Sequence, residues 1–326
     1  MAHPFGEGQE AWIPEGSFTL LPRGTPVPKA VVHVIRTRQL QDRVRVYIPL
    51  DVRVPFHIQQ RMEPSSLVIT LYGVQSDTDW IPQDSSDPII RDIRWNQVSS
   101  FVYTVEMTFN QDQQWGYDAR YNSSTLEIDI KRKPDIAGWQ NSPFKNILIC
   151  LDPGHRPGSG AVGPTGLIER DVNLSVALEL KRMLEAKGAF VVMTREGSEE
   201  IDLGARSRLS VAVDADILVS IHFNSVSDGV NPWKNNGSST YYYLPMSRHL
   251  ARMIHEAVLK ELDLPDLGIY YADLALCRTT QMPAVLTEEA FMIVPQQEYL
   301  LAQPSYQKRC AKAIYKGLET FLKANR

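Results

Sequence analysis

Two rhythms divide the chain. From residue 30 to about 133, short runs alternate apolar and polar positions. Examples are Val31-Val32-His33-Val34-Ile35, Val44-Arg45-Val46-Tyr47-Ile48, Leu67-Val68-Ile69-Thr70-Leu71 and Phe101-Val102-Tyr103-Thr104-Val105. Thr125-Leu126-Glu127-Ile128-Asp129-Ile130 alternates most cleanly. A period of two, with β-branched and aromatic enrichment and turn residues between runs, predicts a small all-β, sandwich-like domain over 30–133. Residues 1–29 carry glycine, proline and few periodic apolar positions, and read as an irregular lead-in. Proline, glycine and polar residues cluster again after Lys133, which predicts a linker over 134–145.

From residue 146 the rhythm becomes strand, loop, helix. Strands are expected at 147–151, 189–193, 217–221, 240–244 and 284–286, with another at Leu274-Ala275-Leu276-Cys277. Helices are expected at 171–187, 203–213, 247–262 and 305–323. The first has Val172, Val176, Leu180 and Leu184 at helical spacing and Gly188 as a stop. The run at 217–221 is almost continuously apolar, as buried parallel strands are. Alternating β and α elements predict an α/β fold over 146–326: a mostly parallel sheet covered by helices on both faces.

The totals change this picture little. With 326 residues, 43% hydrophobic and 22% charged, the chain can form one large packed domain or two of ordinary size. A net charge of -4 gives no support to a nucleic-acid or anionic-membrane partner. No apolar run approaches the ~18 residues of a membrane helix. The start, Met1-Ala2-His3-Pro4-Phe5-Gly6, lacks a signal peptide's basic region and apolar core. A chain whose leader has been removed would look like this, and so would a cytoplasmic protein. Cys150, Cys277 and Cys310 have no metal-finger or redox spacing and read as small buried hydrophobes.

In open α/β sheets, ligands bind beyond the carboxyl ends of the strands. His155 follows one predicted strand end, His222 ends the strand from Ile217, and Glu288 closes the strand from Ala284. Glu169 falls in the first turn of the helix after the His155 loop. Two imidazoles, a carboxylate and an open fourth position make a site that activates water, with a further carboxylate to move protons. Each residue also has an ordinary reading. His155 can be a hydrogen-bonded loop residue and Glu169 a carboxylate favoured by the helix dipole; His222 is the strongest taken alone, since a strand-end imidazole at a sheet rim is a common functional position. Either Glu288 or Glu289 can face the site if strand alternation continues.

The order of motifs adds to this. Leu151-Asp152-Pro153-Gly154-His155, Gly166-Leu167-Ile168-Glu169-Arg170-Asp171-Val172-Asn173-Leu174, Thr194-Arg195, Leu203-Gly204-Ala205-Arg206, the run from Ala215 through Ser220-Ile221-His222-Phe223-Asn224, and Pro283-Ala284-Val285-Leu286-Thr287-Glu288 span nearly the whole second domain. As a set they resemble the zinc-dependent N-acetylmuramoyl-L-alanine amidases of the amidase-3 type. The resemblance implies that His155, Glu169 and His222 bind Zn2+ and that Glu288 is the catalytic carboxylate. It implies a bacterial hydrolase that acts outside the cytoplasm on peptidoglycan, cutting between N-acetylmuramic acid and L-alanine. The all-β domain resembles AMIN-type wall-binding modules through its strand pattern and Ser66-Leu67-Val68-Ile69-Thr70-Leu71-Tyr72-Gly73.

Departures matter too. Glu288-Glu289-Ala290-Phe291 stands where the family has Glu, an apolar residue and Gly-Phe; alignment on Phe291 selects Glu288. Some relatives carry a long helix after the second metal histidine that plugs the site. Residues 225–239 are too short for one, so an open site needing no activator protein is expected. Arg195 and Arg206 are candidates for substrate carboxylates or for structural ion pairs. Asn224 is a candidate to orient His222 or meet substrate. Trp139, Trp233 and Tyr241-Tyr242-Tyr243 can stack on sugars, the tyrosines mostly packing in a strand. His249 and His255, six apart on one helix, read as surface residues, and His33 and His57 lack partners at ligand spacing. Two other readings stand beside the amidase: a zinc peptidase or amidase on another amide, and a wall-binding module without turnover.

Overall fold

The computed structural model describes residues 22–25, 29–82, 87–136, 142–227 and 229–326. Most of the expected lead-in, the middle of the linker and Trp139 lie outside them. The chain forms two units, one from residues up to 112 with 118–132, the other from 113–117 with 133–326.

The first unit is all β. Its strands are β1 (Ala30–Val34), β2 (Arg36–Gln39), β3 (Arg43–Ile48), β4 (Phe56–Met62), β5 (Ser65–Tyr72), β6 (Val74–Trp80), β7 (Ile90–Ser99), β8 (Val102–Phe109), β9 (Tyr117–Asn122) and β10 (Thr125–Lys131). Two four-stranded sheets, β2-β3-β10-β9 and β4-β5-β8-β7, stand with a parallel β1-β6 pair. The period of two does what it predicts: Val44, Val46 and Ile48 are buried on β3, and Leu67, Ile69 and Leu71 on β5. Along β10 the polar alternates are buried as well. Asp129 takes a bidentate pair from Arg45 at 2.6 and 2.9 Å and a third bond from Arg120, so charge pairing covers that face.

Five residues that interrupt the β pattern join the second unit. Trp115 is fully buried, its ring 5.5 Å from that of Phe321. They lie in the connection from β8 to β9, strands of different sheets, and the large aromatic surface of Trp115 takes its cover from Phe321.

The second unit is built on a six-stranded sheet ordered β12-β11-β13-β16-β14-β15. Its strands are β11 (Leu148–Pro153), β12 (Phe190–Met193), β13 (Ile217–Asn224), β14 (Ser238–Tyr242), β15 (Asp266–Tyr271) and β16 (Ala284–Phe291). All neighbours are parallel except β14 against β16. The helices are α1 (Glu169–Glu185), α2 (Leu203–Ala212), α3 (Arg248–Leu262), α4 (Pro295–Leu301) and α5 (Pro304–Ala324). Residues of α1, α3 and α5 share one core with Ile217, Val219, Ile221 and Phe223 of β13. The alternate Leu218 packs on the opposite face with Cys150, Leu276, Met282 and Ala284, the face that α2 flanks. Each large apolar side chain so buried contributes about 1.5–3 kcal/mol.

One expected strand is absent. Ala275–Cys277 is a 3-10 turn, and Leu276 and Cys277 are buried on the α2 face rather than in the sheet. Four consecutive apolar residues fit either state, since so short a run leaves its period undefined. All three cysteines are buried and free.

Candidate metal centre

The site starts at the end of β11. Asp152 is buried, and its carboxylate accepts from Thr194 Oγ1 (2.6 Å), Ser220 Oγ (2.6 Å) and Arg206 Nη1 (2.7 Å). Burial alone would raise its pKa; the Arg206 charge and these three donors hold it below the usual carboxylate range. Arg206 also donates to the carbonyls of Pro153, His155, Arg156 and Ile201. Arg195 donates to Pro153 O (3.0 Å), Gly154 O (2.9 Å) and Arg170 O (2.7 Å). Both guanidinium groups are 98% buried by residue, at 2% exposure. They are therefore not groups held out to a substrate carboxylate. Arg206 is the ion pair expected as its alternative, and Arg195 ties the loop beside His155 to the helix turn beside Glu169.

That loop needs holding. His155 and Arg156 have φ of 66° and 78°, a left-handed conformation costing non-glycine residues of order 1–3 kcal/mol each. The arginine bonds to both carbonyls over-determine it.

Glu169 opens α1 and is buried. Its Oε1 lies 2.8 Å from His155 Nε2 and 3.0 Å from His222 Nδ1. The same oxygen accepts from Asn173 Nδ2 and the Phe223 N–H, and Oε2 accepts from the Ala161 N–H at 2.7 Å. Burial pushes its pKa up, but the two imidazoles and the Ala161 amide outweigh it and hold the carboxyl far below its ordinary range. The two rings lie 4.8 Å apart, edge to face. The donor atoms of His155, Glu169 and His222 all fall within 4.8 Å of one another. Glycines make room for them: a Cβ on Gly154 would lie 2.1 Å from His222 Cε1, and one on Gly160 2.3 Å from Glu169 Oε2. Two nitrogens and one oxygen converging on a partly open rim fit a catalytic zinc ion with one position free.

Glu288 is the register partner of His222 on the neighbouring parallel strand. Ala284 packs on the α2 face and Val285 on the other. Alternation therefore puts Glu288 on the α2 face, with His222, whose own alternate Leu218 packs there. Its Oε2 is shut from solvent and has no hydrogen-bond partner. Burial, then the Glu169 and Glu289 carboxylates, push its pKa well above the ordinary range.

Glu289 faces the opposite way. It is fully buried, in the neighbourhood of Cys310 and Tyr306 of α5. Burial pushes its pKa up to about 8. A carboxyl that holds its proton in the folded state but not in the unfolded one contributes stability below its ordinary pKa and loses it as pH rises toward 8. Glu289→Gln is therefore expected to flatten that loss: between about pH 5 and about pH 9 the midpoint of thermal unfolding should fall less in the variant than in the parent chain. Parallel curves would mean that Glu289 is ionised in the fold.

Other candidates are spread out. Asn224 ends β13, and its Oδ1 accepts from the Ser225 N–H (2.7 Å); no bond from it to His222 exists among the described residues. His255, expected at the surface, is buried between Thr240 Oγ1 (3.3 Å) and Asp266 Oδ1 (2.8 Å). It joins α3 to two strands, a role set by neighbours far along the chain. His249 is edge-on to Phe321. Between Asn224 and Ser238 the described residues hold turns and no helix.

Sequence reasoning missed Glu298. It sits in the first turn of α4, buried, and accepts from Thr165 N (2.9 Å), Thr165 Oγ1 (2.9 Å) and Leu167 N (3.3 Å). It thereby clamps the loop that leads into Glu169. No local pattern marks a partner more than a hundred residues away. Asn173 was visible: four positions after Glu169, it shares that helix face.

A helix-covered, mainly parallel sheet with a two-histidine, one-carboxylate cluster at its rim defines the class as an α/β fold with a candidate metal-binding group. Residues 149–320 match the family profile described as N-acetylmuramoyl-L-alanine amidase. The chain belongs to that family, the amidase-3 type. It is 32% identical over 191 residues to the N-acetylmuramoyl-L-alanine amidase LytC of Bacillus subtilis (strain 168), covering 57% of this chain but only 38% of LytC. The solved AmiC2 amidase of Nostoc punctiforme is 33% identical with a TM-score of 0.51, over 54% of this chain and 97% of that one. The CwlD amidase of Clostridioides difficile, solved in complex with the GerS lipoprotein, is 27% identical with a TM-score of 0.51, over 55% of this chain and all of CwlD. The family match begins after the β unit.

Proposed function

We propose that this chain is a zinc-dependent peptidoglycan hydrolase that cleaves the amide between N-acetylmuramic acid and the L-alanine of the stem peptide. The observation that carries the reading is the convergence of His155, Glu169 and His222 with Glu288 in register beside them. His155, Glu169 and His222 would hold the ion. The chemistry it supplies is Lewis acidity, which polarises a carbonyl oxygen and makes water acidic near neutral pH. Glu288 takes the proton of the attacking water and returns it to the leaving nitrogen. A raised pKa suits a group that must both accept and donate near neutrality. Asp152, Arg195, Arg206 and Glu298 hold the ligand loops in place.

Peptidoglycan places the work outside the cytoplasmic membrane. No described helix is long and apolar enough to cross a membrane. A wall-binding, AMIN-like role for the β unit rests on its strand pattern alone. We propose that the site works without an activator, since only turns follow His222's strand among the described residues. A severalfold rise in rate on adding a partner protein would contradict that, and the CwlD–GerS complex makes it worth testing.

Digestion of purified peptidoglycan, followed by mass analysis, tests the reading. The expected products are stem peptides with a free L-alanine amine and glycan carrying a free lactyl carboxylate, both lost on adding a chelator. Cleavage inside the stem instead would make the chain a zinc peptidase. Binding to the wall with no release would make it a non-catalytic module.

A further inference from the structure

The face of the sheet that carries His222 and Glu288 continues to its edge. Ser239 is the register partner of Glu288, and Gly268 that of Ser239. One step back along the strands, Leu286 pairs with Tyr241 and Tyr241 with Tyr270. Directly paired residues share a face, as do residues two apart on a strand. The opposite face is accounted for independently: Thr240 meets His255 of α3, and Ile269 packs on the α1/α3/α5 core.

The two tyrosines stack, with ring centroids 5.5 Å apart and planes at 27°. Both lean toward the row of Glu288. Tyr241 Oη lies 3.4 Å from Ser239 Oγ. Gly268 has no side chain, and the tip of the Tyr270 ring reaches over it, 3.8 Å from where a Cβ would stand. Tyr270 remains 45% exposed. The row thus runs from Glu288 through the buried Ser239 and Leu286 to an exposed aromatic end at the sheet edge, about 10 Å across two strand spacings. Ser239, Gly268, Leu286, Tyr241 and Tyr270 include no ionisable acid or base near neutral pH. Tyr270 Oη donates to Leu267 O, which fixes the ring, and the ring keeps its exposure two strands away from a candidate catalytic carboxylate.

We propose that Tyr241 and Tyr270 form a saccharide subsite, taking the neutral N-acetylated sugar rings of the glycan strand on the muramyl side of the scissile amide. This rests on the amidase reading above. The absence of charge decides between the two sides of that bond: a stem peptide carries carboxylates and amines that this aromatic end cannot answer, whereas the apolar face of a sugar ring matches an exposed aromatic ring.

The test uses the full chain carrying Glu288→Gln, alone and combined with Tyr270→Ala or Tyr270→Trp. The probes are peptide-free oligosaccharide of alternating N-acetylglucosamine and N-acetylmuramic acid, with its lactyl carboxylates capped as simple amides so that it is neutral, and free stem peptide, titrated by NMR. The expected result is that Tyr270→Ala weakens oligosaccharide binding about tenfold and leaves peptide binding unchanged, while Tyr270→Trp retains it. Oligosaccharide affinity unchanged by Tyr270→Ala, or a loss confined to the peptide, overturns the proposal. Loss of both ligands in Tyr270→Ala together with retention of both in Tyr270→Trp would also overturn it, since the ring would then support the whole site. Wild-type product masses report separately on the amidase reading, because they do not depend on Tyr270.

Discussion

Glu288→Gln is expected to lower turnover by about a hundredfold or more while leaving the metal bound and KM little changed. The substitution keeps shape and removes basicity. Glu288 Oε2 has no protein partner, so an amide nitrogen in its place breaks no hydrogen bond of the fold. The proposed metal ligands His155, Glu169 and His222 are separate residues, which is why zinc content should not move. Initial rates on a soluble muropeptide, with metal analysis of the same sample, check both halves. Near-normal turnover would remove the proton-transfer role from Glu288. Glu289 is poorly placed to inherit it, since it is fully buried on the α5 side of the sheet.

The second large effect is on stability. Arg206→Met should cost about 3–5 kcal/mol, because it leaves the buried Asp152 carboxylate without its counter-charge. Against a typical total of about 5–15 kcal/mol, that threatens the folded state itself. Arg206→Lys keeps the charge but cannot reach Asp152 and the carbonyls of Pro153, His155, Arg156 and Ile201 together. It is expected to recover part of the stability while still binding zinc less tightly, since His155 loses the bond on its own carbonyl. Urea unfolding and zinc titration of the two variants separate these effects. A loss under about 1 kcal/mol in Arg206→Met would show that the pair is not the anchor of the loop.

The parts of this fold that were readable are those whose cause is local. The alternation of β3 and β5, and Val172, Val176, Leu180 and Leu184 of α1, encode their burial in their own spacing. His155, Glu169 and His222 were readable for a different reason: their motifs sit at strand exits, and the structure brings the three side chains together. What escaped depends on distant partners. Glu298 acts on Thr165, His255 bridges Thr240 and Asp266, and Trp115 of the β8–β9 connection packs on Phe321. Arg195 and Arg206 were legible as cations open to either a substrate contact or a structural pair, because a sequence does not show the backbone carbonyls and the one carboxylate that surround them. The split between Glu288 and Glu289 was an alternation argument left open, and the strand register closes the geometry: one carboxyl beside His222, the other facing α5.

Zinc stoichiometry tests the central claim most directly. Metal-free protein dialysed against zinc, then cleared of excess and analysed for metal, should retain about one ion per chain. The same protein carrying Glu169→Ala, which removes the oxygen both imidazoles face, should retain almost none while keeping its circular dichroism. Equal zinc in both proteins, or none in the unaltered one, would contradict the account.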